Sequence, residues 1–141
     1  MPDRTPPTVF TTEKVHIENY NLEAHYCRQL HEKGGVVIFV HNSLCFSNID
    51  IVKHCEEQDI VCALKLSFCT LNICVLTLYK APSGNFSICL LKLDTILQSL
   101  YTATLHFVIC GDININYLNE IVNKSQLDNL LLSYNLTSTI N

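Results

Sequence analysis

Two side chains able to do chemistry stand close together late in the chain: Asp112 and Asn114, one residue apart and just beyond Gly111. A carboxylate can take a proton from water, and a carboxamide can donate to an oxygen without adding charge. Both emerge where the apolar run Leu105-His106-Phe107-Val108-Ile109-Cys110 stops. That run is rich in aromatic and β-branched residues and predicts a buried strand, and the glycine after it predicts a sharp turn of the backbone. A rigid strand end is thus expected to present the pair. The same Asp-x-Asn pattern also suits an ordinary turn, because both side chains bond readily to nearby backbone. Upstream, residues 71–79 form a second strand-like run that ends in Tyr79, followed by Lys80.

The elements that must position these residues read as an α/β fold. After Gly34-Gly35, the unbroken apolar run 36–40 predicts a strand buried on both faces. Residues 59–68 and 71–79 are separated by only Cys69-Thr70 and predict an antiparallel hairpin. Phe86, Leu90, Leu93, Leu97 and Leu100 recur at helical spacing, with Ser83-Gly84-Asn85 as the start signal. A second helix is predicted over 125–134, with Leu127, Leu130, Leu131 and Tyr134 on one face and Ser125 and Asp128 as a capping pair. Residues 136–140 then predict a short terminal strand. Tyr79 and Asp112 are joined by a strand-helix-strand crossover, so neighbouring strands would bring both to the sheet edge where α/β proteins collect ligands.

The order GGVVIFV (34–40), LTLYKAPSGNF (76–86), a helix, FVICGDININ (107–116) and LDNLLLSYNL (127–136) resembles the endonuclease/exonuclease/phosphatase superfamily. More narrowly, it is similar to the apurinic-type endonuclease domain of non-LTR retrotransposons, whose patterns read roughly GGVAIYV, YRPPSGN and GDFNI. The segment from Asn19-Tyr20-Asn21-Leu22 through Tyr26-Cys27-Arg28, before the double glycine, resembles the same elements, so the likeness covers 19–141. It implies a four-layer α/β sandwich, two packed mixed β-sheets flanked by helices, present here in part and truncated at both ends. Residues 1–18 read as a poorly ordered lead-in without a counterpart in the family.

The resemblance also implies a chemistry: hydrolysis of a DNA phosphodiester assisted by Mg2+ or Mn2+. Asp112 matches the aspartate that activates the attacking water, Asn114 the asparagine that orients water or phosphate, and Tyr79 the tyrosine whose hydroxyl contacts the phosphate. Lys80 stands where the family pattern has arginine and is a weaker phosphate contact, since it keeps the charge without the planar fork. Ile113 replaces the usual phenylalanine or leucine, and His106 reads as structural. For the family's metal-binding glutamate Glu13 is the candidate, although no apolar strand precedes it and Tyr20 follows too soon. The family's closing Ser-Asp-His cluster has no counterpart in the sequence. A metal-dependent endonuclease fragment that is inactive alone is the leading expectation. A phosphatase of the same superfamily and a non-catalytic relic acting only through interactions are the alternatives.

Composition bounds these readings. With 141 residues, 48% of them hydrophobic, the chain can form one core and is too apolar for a disordered segment. A net charge of −4 excludes tight binding to a phosphate backbone by charge alone. No run is long enough for a membrane helix and the N-terminus lacks a signal peptide's apolar core, so an intracellular protein is expected, with nuclear action implied by the resemblance. The eight cysteines include no Cys-x-x-Cys pair, and Cys62, Cys69, Cys74, Cys89 and Cys110 fall in apolar patterns that predict buried thiols. The neighbours His54 and Cys55 read as a partly exposed loop. Residues 36–40 and 71–78 are long, β-prone and almost uncharged, so self-association through exposed strand edges is expected.

Overall fold

The computed structural model describes residues 15–28, 34–50, 59–68, 70–116 and 118–139. Glu13, His54, Cys55 and Cys69 lie outside the described residues. The elements run β1 (Tyr20–Cys27), β2 (Gly35–His41), β3 (Cys45–Ile49), β4 (Asp59–Phe68), β5 (Leu71–Lys80), α1 (Phe86–Leu100), β6 (Leu105–Asp112) and α2 (Ile121–Ser133). The fold is α/β. β1 and β2 pair antiparallel as a two-stranded sheet, and β3-β4-β5-β6 form a four-stranded mixed sheet in which only β5 and β6 are parallel.

Alternation along the strands divides the core in two. Cys74, Leu76 and Leu78 of β5 and Ala63 of β4 face the helices, where they meet Leu93, Ile96, Leu97 and Leu127. Leu64 of β4 faces the other way, toward Val36, Ile38 and Val40 of β2, with Val75 and Tyr79 alongside. The described residues therefore stack as hairpin, sheet and helices. Because period two sends alternate side chains to opposite faces, one strand serves both cores.

The predicted hairpin over 59–68 and 71–79 forms in that register, from Asp59 opposite Lys80 to Phe68 opposite Leu71. α1 begins after Asn85, whose side-chain oxygen accepts the Ile88 N–H at 3.1 Å and so satisfies one of the helix's open donors. The buried stripe of α1 is Cys89, Leu93, Ile96 and Leu97, with Phe86, Leu90 and Leu100 at its margins.

Several expectations are corrected. β2 is not buried on both faces: Val36, Ile38 and Val40 are covered while Val37 is 40% exposed, the pattern of a strand with one face on the core. α2 begins at Ile121, four residues before Ser125, and its cap position is Glu120. The turn before it sets that start, because Asn116 accepts the backbone N–H groups of Asn119 and Glu120. Residues 136–139 are not a strand. Residues 71–78 are no exposed edge either, since β5 is paired on both sides; the edges of that sheet are β3 and β6. Two strands, β1 and β3, were not legible from residue pattern.

Candidate functional site

The parallel pairing of β5 and β6 sets Tyr79 opposite Asp112 in register. Neighbouring strands lie about 4.8 Å apart, so the two residues are adjacent by construction. Both side chains project from the sheet face turned toward β1 and β2, as do Thr77 and Cys110 one step back, whose oxygen and sulfur are 3.3 Å apart. Tyr79 is half-buried against the Val36–Ile38–Val40 cluster, and Asp112 is exposed.

Gly111 is what lets the strands close here. Its φ is +143°, and a Cβ on it would stand 1.8 Å from the Leu78 carbonyl oxygen. Only glycine tolerates both conditions. Beyond it, Ile113 turns inward to the helix-side core, and Asn114 takes a left-handed conformation with φ +48°. Asparagine is one of the few non-glycine residues that visits this region readily. Asp112 Oδ1 accepts the Asn114 backbone N–H at 2.9 Å, and Asn114 Nδ2 donates to the Lys80 carbonyl at 2.6 Å. The Asp-x-Asn segment is thus an Asx turn, and it is also clamped to the end of β5. One amide N–H of Asn114 is committed to that clamp, so at most one more is available to a water or phosphate.

Tyr79, Asp112 and Asn114 are therefore brought together, but the Lys80 ammonium is not. It is 4% exposed on the opposite face, where it donates to the Ala81 carbonyl at 3.0 Å. Strand alternation is the reason: the residue after Tyr79 must point away from it.

A residue that the sequence pattern did not single out by itself stands at the site instead. Arg28 follows β1, and its N–H bonds the Gly34 carbonyl at 3.3 Å to close the described end of the hairpin. Gly34 has φ +101°, and a Cβ there would come within 2.7 Å of Arg28 Cδ and 2.9 Å of the Tyr79 hydroxyl oxygen. The arginine stem and the tyrosine hydroxyl thus flank one point. The only signal in the sequence was the position of Arg28 ahead of the double glycine.

The rest of the β6 face is open. His106 and Cys110 are exposed and Val108 is 50% exposed, because the β1–β2 hairpin lies over β4 and β5. Cys110 was expected in the core; its exposure follows from this uncovered face. Cys45 is also exposed, while Cys74 and Cys89 are buried, all four as free thiols. Burial pushes the Cys74 thiol up to about 11. On the helix side of β6, a cavity of about 290 Å³ is lined by Leu78, Leu93, Ile109, Leu127 and Leu131. Val108, Cys110 and Gly111 of β6 also line it, so it lies behind the strand that carries Asp112.

Divalent magnesium prefers an octahedron of oxygens in which carboxylates and waters share the positions. Among the described residues, no three His, Cys, Asp or Glu side chains gather as such a group. Asp112 alone, with one oxygen held in the Asx turn, does not by itself fit a resident metal. No helix among the described residues is long and apolar enough to cross a membrane. Compared with protein-family models, curated proteins and solved structures, the chain gives no match.

Proposed function

We propose that this chain carries the tyrosine-aspartate-asparagine part of a phosphodiester hydrolase site of the retrotransposon endonuclease type, acting on DNA in the nucleus. The observation that supports the reading is the register pairing of Tyr79 with Asp112, with Asn114 clamped beside them through Lys80. In such a site the Asp112 carboxylate takes a proton from the attacking water, and the Tyr79 hydroxyl donates to a phosphoryl oxygen. Asn114 is fixed where a carboxamide can orient either one. Mg2+ or Mn2+, when bound, would offset negative charge on the phosphoryl oxygens. The described residues supply one carboxylate toward it, and groups that work as a unit lose activity together. The 141 residues alone are accordingly inactive in this proposal. The exposed edge and uncovered face of β6 further support self-association of the chain.

Nicking of supercoiled plasmid in Mg2+ tests this reading. The isolated chain should nick at background. A chain extended through its flanking reading frame should nick in the presence of metal and lose most of that rate on Asp112→Asn. An extended chain that is inactive, or indifferent to Asp112→Asn, would refute the hydrolase reading. Nicking by the isolated chain that Asp112→Asn abolishes would refute its inactivity.

A further inference from the structure

A phosphate approaching Tyr79 also approaches the negative charge of Asp112, so a cation on the same face is needed to offset the repulsion. The sequence offers Lys80 for this, but its ammonium is buried on the other face and bonded to Ala81. Reaching Tyr79 would require β5 to turn over and empty the core. What lies beside the Tyr79 hydroxyl is the stem of Arg28. We propose that Arg28, and not Lys80, is the phosphate-gripping cation of this site, an assignment that rests on the phosphodiesterase reading above.

Three features make Arg28 suited to the task. Its backbone is fixed by the bond to Gly34 at the end of the hairpin, so the side chain leaves from a defined point. Its half-buried stem lies against Gly34 and beside the Tyr79 hydroxyl, which restricts its rotamers and lowers the entropy lost when a phosphate binds. The guanidinium is a planar fork that matches two phosphate oxygens at once, whereas an ammonium acts as a point charge. Gly34 completes the arrangement, since any side chain there would push against both Arg28 and the Tyr79 hydroxyl. The chain has only two arginines, Arg4 and Arg28, so a reagent specific for guanidinium reads this position cleanly.

The test uses the full 141-residue chain and a short fluorescein-labelled DNA duplex, with affinity followed by anisotropy across a salt series. Arg28→Gln should weaken binding about tenfold and reduce the salt slope by about 1, the signature of one lost phosphate contact. Arg28→Lys should fall between the two, and Lys80→Met should bind as the parent does. Far-UV circular dichroism checks that each variant is folded. Independently of any variant, bound duplex should protect Arg28 of the parent chain from phenylglyoxal while Arg4 stays reactive, read by peptide mass spectrometry. Unchanged affinity and slope in folded Arg28→Gln, or unprotected Arg28 under saturating duplex, would overturn the assignment and leave the hydrolase reading standing. A parent chain that fails to bind duplex even at low salt would overturn the assignment of Arg28, while the hydrolase reading stands or falls on the nicking assay of the extended chain.

Discussion

Gly111→Ala should be among the most damaging single-methyl additions the chain can receive. The new Cβ would lie 1.8 Å from the Leu78 carbonyl oxygen, a backbone atom of the central strand, where real contacts stay beyond 3.0 Å. Relief therefore requires β5 and β6 to part by more than an ångström. The φ of +143° adds strain of its own, of order 1–3 kcal/mol for a residue with a Cβ. Parting the strands weakens adjacent ladder hydrogen bonds, worth about 0.5–1.5 kcal/mol net each. A cost of about 3–5 kcal/mol follows from the two together, a large share of the roughly 5–15 kcal/mol that holds a domain of this kind. At about 3 °C per kcal/mol for this length, the thermal midpoint should drop by about 10 °C or more. Gly34→Ala provides the comparison: its φ is also positive, but the obstructing atoms are side chains of Arg28 and Tyr79, which can swing aside. It should cost less and act chiefly on the position of the Tyr79 hydroxyl. Urea unfolding followed by far-UV circular dichroism measures both. Gly111→Ala within about 1 kcal/mol of the parent, the ordinary size of a point-mutant effect, would refute the claim that close strand approach sets this strand end.

Two further outcomes are expected. The Tyr134 hydroxyl donates to Asp94 Oδ1 at 2.5 Å, and this bond to a carboxylate, with burial, lifts the tyrosine to about 12; the unfolded chain therefore loses that proton first, and stability should fall as pH rises from about 10 to 12, a step that Tyr134→Phe should remove in alkaline melts. Iodoacetamide should label exposed Cys45 and Cys110 quickly and buried Cys74 and Cys89 only on unfolding; if copies associate over β6, Cys110 labelling should slow as concentration rises, and a monomer by sedimentation with concentration-independent labelling would refute that association.

Legibility in the sequence followed the source of each signal. The β4–β5 hairpin and α1 were readable because local chemistry and burial agree there: a two-residue connection, an apolar stripe at helical spacing and an asparagine cap all specify the same thing. β1 was not, since Tyr20-Asn21-Leu22-Glu23-Ala24-His25 shows little apolar content and gains its strand from pairing with β2. β3 is five residues long with only Phe46 and Ile49 half-buried, too short a pattern to stand out. The sequence suggests a later start for α2 because Ser125 looks like a cap, while the segment is launched by the Asn116–Glu120 turn, a backbone arrangement with no strong residue code.

The site divides along the same line. Tyr79 and Asp112 could be found because strand ends are where patterned burial stops, and the crossover through α1 makes neighbouring parallel strands the natural outcome. For Lys80 the string misleads, for the opposite reason. A motif is read as a string, and in a string Lys80 is next to Tyr79; in a strand it is on the other side of the sheet. The arginine whose stem lies beside Tyr79 comes from a hairpin fifty-one positions earlier in the chain, and no spacing rule connects Arg28 to it. Adjacency along the chain is thus a poor guide to charge at a strand end, and adjacency across packed sheets, here through the missing side chain of Gly34, is what decides which cation a ligand would meet.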